Sequence, residues 1–269
     1  MRQPAPGRRA SRRVAAVALH PRSLLAVGLV TLVGLAGFGW PLLVDPGSGL
    51  AHAQDAPYLF AALLPALIAV VLAEIAEGGM DAKAVALLGV LSAVGAALRP
   101  LGGGTAGFEP MFFLLVLAGR ALGPGFGFVL GSVTMFASAL LTGGIGPWLP
   151  FQMIAGSWVS LGAGLLPRVR GHAEVAMLAA YGGLAGLGYG LALNLSFWPF
   201  AAGADTAVSY QPGAPLGDNL ARLLAFTLAT SLGFDLPRAG LTAVLVALTG
   251  RHVLAALRRV ARRAAFGAP

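Results

Sequence analysis

Apolar residues in this chain come in blocks and do not alternate with polar ones. Runs nearly free of charge occupy Leu24–Val44, Tyr58–Ala76, Ala84–Leu98, Pro110–Leu122, Gly125–Leu141, Gln152–Leu166, Glu174–Phe197 and Pro237–Ala256, with a moderately apolar stretch at Asn219–Leu232. A helix crosses the hydrocarbon of a bilayer in about 20 residues, and most of these runs approach that length. Barrel strands would show a period of two, which is missing here. The breaks between runs are turn chemistry: Gly-Pro-Gly at 123–125, LGGGTAG at Leu101–Gly107, and a charged turn from Glu77 to Lys83. The pattern predicts an all-α, polytopic membrane helix bundle with eight crossings, because only helices satisfy their own backbone in lipid.

Composition agrees. The chain is 57% hydrophobic and 10% charged, with a mean hydropathy of +0.82, whereas soluble domains carry about 25% charge. The net charge of +8 does not point to nucleic acid, because arginine gathers at the two ends and in short turns. That is how topogenic charge is distributed. With the N-terminus inside and alternating crossings, only Arg99, Arg222 and Arg238 of the 18 Lys and Arg fall outside. The remaining 15 are cytoplasmic, so the count predicts a multi-pass protein of the cytoplasmic membrane with both termini inside. Ala51-His52-Ala53 after the first run imitates a signal-peptide cleavage site. The run is longer than an ordinary leader's apolar region, which favours a retained anchor.

Small residues recur at four-residue spacing: Gly123, Gly127 and Gly131; Gly182, Gly186 and Gly190; and Gly89, Ala93 and Ala97. Such stripes let helix backbones approach closely in lipid. Packing within the chain suffices for the first two stripes, whereas the third could instead face a partner subunit.

Enzymatic motifs are missing. Lys83 is the one lysine and no phosphate loop surrounds it. There is no H-E-x-x-H helix and no G-x-S-x-G elbow, the histidines lie in tails, loops or at a crossing's end, and cysteine is absent. No catalytic residue, metal site or intrinsic cofactor is expected. The outer ends of the predicted crossings, by contrast, gather Arg99, Phe108, Glu109, Trp148, Phe151, Gln152, Asn194, Trp198, Asp235 and Arg238. Trp148 and Trp198 equally suit an interfacial belt, and Asp235 and Arg238, three apart, could neutralise one another. An apolar cup with a few placed donors and acceptors is how small organic ligands are held, so the asymmetry favours solute capture from outside. A self-sufficient secondary transporter is the alternative; it calls for midplane charges or inverted repeats, which are not evident. An intramembrane enzyme ranks below both.

The stretches Arg99–Gly131, Gly146–Met153 (GPWLPFQM), Asn194–Phe200 (NLSFWPF) and Thr230–Leu241 (TSLGFDLPRAGL) resemble the substrate-binding (S) component of energy-coupling factor (ECF) vitamin transporters. The resemblance covers six of the eight predicted crossings. It implies a six-helix substrate-binding core, here 81–257, which the runs and charges flank with a basic tail at 1–22, two additional helices at 23–80 and a basic tail at 258–269. It also implies a vitamin-class ligand near the outer face, covered by the loop Arg99–Glu109. Gly89, Ala93 and Ala97 would dock a membrane coupling (T) subunit, and ATP hydrolysis would belong to two separate cytoplasmic ATPases. The branch is similar to components assigned to cobalamin or its precursors, which puts a corrinoid among the candidates beside riboflavin, thiamine or a pteridine. The first two crossings and the mixed Gly/Ala motif depart from the usual pattern.

Overall fold

The computed structural model describes residues 21–43, 56–77, 80, 82–102, 107–201 and 206–264. The basic tail before Pro21, the Ala51-His52-Ala53 site and the glycines at 103–104 lie outside the described residues. Among those described there is helix and no strand. The helices are α1 (Pro21–Leu43), α2 (Ala56–Glu77), α3 (Ala82–Leu98), α4 (Met111–Leu122), α5 (Pro124–Thr142), α6 (Leu149–Leu165), α7 (His172–Ala201), α8 (Leu216–Phe226) and α9 (Leu232–Ala264). Five segments are long and apolar enough to cross a membrane: 21–43, 82–102, 124–142, 172–200 and 216–263. The chain is a multi-pass membrane protein.

The run at Pro110–Leu122 departs from the picture of equal crossings. Its helix, α4, has 12 residues, rising about 18 Å against the ~30 Å of hydrocarbon. Ten of the 12 are buried, because α3, α5, α6, α7 and α9 all pack on it. α4 is the axis of the bundle, and protein surrounds it where lipid would have been expected. Gly123, at φ 102°, turns the chain directly into α5, with Pro124 opening the new helix. A positive φ at that point suits glycine.

The stripes of small residues sort by neighbour. A Cβ on Gly127 would come within 2.8 Å of the Ser160 carbonyl, so α5 and α6 touch backbone to backbone. At Gly182 it would meet the Thr242 methyl at 2.8 Å, and at Gly186 the Ala239 backbone at 3.2 Å, which joins α7 to α9. Gly89 is different, with nothing within 4 Å of its Cβ position. The buried side of α3 is Ala84, Leu91, Ser92, Gly95 and Ala96, whereas Gly89, Ala93 and Ala97 lie on its exposed side with Val85, Val90 and Val94.

The α1–α2 hairpin packs on α6 and α7. The Trp158 indole donates to Thr31 Oγ1 at 3.3 Å, Trp40 donates to the Ser196 carbonyl at 3.3 Å, and Phe38 meets Phe151 edge to face. These contacts run α1 antiparallel to α6. The start of α1 and the finish of α9 therefore share one end of the bundle. The moderately apolar Asn219–Leu232 stretch is α8 continued through a π-helical turn, Thr227–Ser231, into α9. Asn194 spans that turn, donating to Thr227 Oγ1 at 3.3 Å and accepting from Ser231 at 2.9 Å.

Candidate functional site

Charge is concentrated at the two ends of the bundle. At one end Arg120, from the last turn of α4, donates to Glu174 at 2.6 Å and to the Leu166 and Pro167 carbonyls at 2.7 and 2.8 Å. Arg258 of α9 reaches the same Glu174 oxygen at 2.7 Å. Arg120 is completely buried, and these contacts tie one chain segment to another. The arrangement is a clamp, since a buried charge persists only when paired and hydrogen-bonded.

The other end holds a cavity of about 470 Å³. Four elements converge there: the exit of α3 (Arg99, Pro100), the loop before α4 (Gly107, Phe108, Glu109), the entry to α6 (Trp148, Gln152) and the start of α9 (Phe234, Arg238), with Thr142 and Gly144 closing the side. Gly107 has φ 76°, and a Cβ there would collide with the Phe234 carbonyl, so the loop lies directly on the backbone of α9. Glycine is required for both reasons.

An alternating row of charges lines this end. Asp235 Oδ1 accepts from Arg238 Nη1 at 2.6 Å, Glu109 Oε2 accepts from Arg238 Nε at 2.6 Å, and Glu109 Oε1 accepts from Arg99 Nε at 3.3 Å. Arg99 Nη2 then donates to Gln152 Oε1 at 3.3 Å. The Arg238 guanidinium also lies over the Phe112 and Tyr189 rings, 5.7 and 5.1 Å from their centroids, a favourable placement for a desolvated cation. The rest of the wall includes Phe108, Trp148 and Phe234, all more than a third exposed. The result is an apolar cup with one polar side.

A family model described as "ECF transporter, substrate-specific component" matches residues 83–249. The chain belongs to this family. The matched span runs from α3 into α9 and contains every lining residue of the cavity. The α1–α2 hairpin lies outside it. Substrate-specific components of this family work with a T subunit and ATPases. No curated protein and no solved structure matches the chain.

Of the outer-end residues singled out in the sequence, Arg99, Phe108, Glu109, Trp148, Gln152 and Arg238 meet at the cavity. The other four are engaged elsewhere. Phe151 is buried between Phe38 and Phe197, and Asn194 serves the π-helical turn. Trp198 is fully buried, donating to the Val208 carbonyl at 2.6 Å and packing on Tyr210. It fixes the loop between α7 and α8, where burial pushes the Tyr210 hydroxyl above the usual tyrosine range. Asp235 sits behind Arg238, off the cavity wall and tight against Gly190. Phe234, Phe112 and Tyr189 went unnoticed in the sequence. The available signal was spacing, since Phe234 precedes Arg238 by four and so shares its helix face.

Proposed function

We propose that this substrate-specific component captures a vitamin-class solute on the non-cytoplasmic side and delivers it through an ATP-driven ECF complex. The observation carrying the proposal is the cavity lined by Arg99, Glu109, Trp148, Gln152 and Arg238. Its volume of about 470 Å³ lies within the roughly 300–1,000 Å³ of small-ligand sites. Its lining combines ring faces with a held row of polar groups. The charge count supports an outward cavity in the cytoplasmic membrane, because Arg22, Arg120, Arg258, Arg259, Arg262 and Arg263 all belong to the opposite end. A ligand of one or two rings suits this volume. A complete corrinoid is larger than this cavity.

Coupling would use α3. Gly89, Ala93 and Ala97 form a bare strip that the fold itself does not consume, and small residues let a partner helix approach closely. The T subunit is the proposed occupant, with two ATPases bound to it in the cytoplasm.

The test is mass spectrometry of small molecules released from the purified chain, followed by titration of the emptied protein with a vitamin panel. A single vitamin bound without ATP is the expected result. Binding of none by folded protein, or uptake into liposomes driven by an ion gradient alone, overturns the proposal.

A further inference from the structure

We propose that the solute is a small carboxylic acid whose carboxylate docks on Arg99 while its ring or hydrocarbon body packs against Trp148 and Phe234. This inference rests on the capture reading above and names the ligand class for the same cavity.

The row of charges is neutral in sum but has a direction. Its acidic terminus, Asp235, is held behind Arg238 and does not reach the cavity wall. Its basic terminus, Arg99, does. The wall itself carries two guanidiniums, Arg99 and Arg238, against the single carboxylate of Glu109. The two arginines are not equally engaged. Arg238 has short 2.6 Å bonds to both acids and two rings beneath it. Among the described residues Arg99 makes two hydrogen bonds, each at 3.3 Å, one to Glu109 and one to an uncharged amide. A guanidinium has five N–H donors, so three of those on Arg99 lack a partner among the described residues. At 18% side-chain exposure Arg99 is largely withdrawn from water as well. A part-buried guanidinium with spare donors is a receptor for a planar anion, which it grips in bidentate fashion.

The acids cannot serve a cationic ligand equally well. Both oxygens of Glu109 are already engaged by guanidinium groups. A cation would have to break the short Glu109–Arg238 bond, whereas a carboxylate replaces only the long Glu109–Arg99 contact. The aromatic wall then selects for an apolar body. A single negative charge fits, because Glu109 stands close enough to repel a second one.

Full-length protein in detergent is titrated with biotin, pantothenate and nicotinate, each paired with its neutral amide or alcohol, and with riboflavin and thiamine as neutral and cationic controls. Trp148 fluorescence reports occupancy. At least one acid should bind ten- to a hundredfold more tightly than its neutral partner, the range of a charge-assisted hydrogen bond. Arg99→Gln should reduce that preference to within about threefold, Arg99→Lys should restore part of it, and Trp148→Phe, followed calorimetrically, should weaken acid and amide alike. If Arg99→Gln fails to fold, the acid-to-amide ratio of the unaltered protein decides alone. Equal binding of acid and amide, or binding confined to riboflavin or thiamine, overturns the inference and leaves the capture reading standing. No binding by any vitamin sinks both.

Discussion

Arg238 and Glu109 lie 129 positions apart in the chain and share a 2.6 Å hydrogen bond. That bond fastens the segment before α4 to the last long helix, and Arg238 holds Asp235 by the same guanidinium. Removing either partner therefore affects stability and binding together.

Arg238→Gln leaves Asp235 buried without its cation. Breaking a buried pair from one side costs about 3–5 kcal/mol, so thermal unfolding in detergent should shift down clearly. Glu109→Gln should cost less, because Arg238 keeps Asp235. The double variant should fall short of the sum of the two, the signature of directly interacting groups.

The two kinds of small-residue stripe should separate cleanly. Gly131→Leu drives a side chain into the α6 backbone, where even a Cβ would overlap Gly156, and monodisperse protein should be lost in size-exclusion chromatography. Gly89→Leu meets nothing and should change unfolding by less than about 0.5 kcal/mol. It should leave ligand titration intact but reduce co-purification with a T subunit and ATP-dependent uptake.

Aromatic residues near the cavity should divide in the same way. Phe38→Ala and Trp40→Ala remove well-packed rings between the hairpin and α6–α7, each costing about 3–5 kcal/mol in thermal or denaturant unfolding. Trp148, 42% exposed, should cost little stability when changed to alanine but lower ligand affinity at least tenfold.

Arg120→Met leaves Glu174 with Arg258 and deprives the Leu166 and Pro167 carbonyls of this donor. Loss of folded protein on heating is expected, about 1–3 kcal/mol for buried acceptors left without a donor, with ligand affinity in the surviving folded fraction unchanged. A matching drop in affinity would show that the two ends of the bundle are energetically linked.

Length and punctuation made most of the helices legible in the sequence, down to the turn at Gly123 and the spacing of the glycine stripes. Which way each polar side chain faces was less legible. α7 is apolar on every side, so hydropathy gives no angular reference, and Asn194 and Trp198 could be assigned to an end of the bundle but not to a face. Arg120 shows a related difficulty. It is a positive charge beside a turn and reads as topogenic, yet its partner Glu174 lies 54 positions away on another helix. Pairing at that range leaves no periodic trace. Arg99, Glu109 and Arg238 were found because rare charges flank apolar runs, and such charges are costly there unless paired or used.

The seat of the α1–α2 hairpin has a lateral consequence. By covering α6 and α7, it occupies one flank of the molecule and leaves the α3 side bare. In the plane of the bilayer this gives the protein a front and a back. A molecule approaching in that plane meets the hairpin before α6 and α7 on one side, and the bare strip of α3 directly on the other.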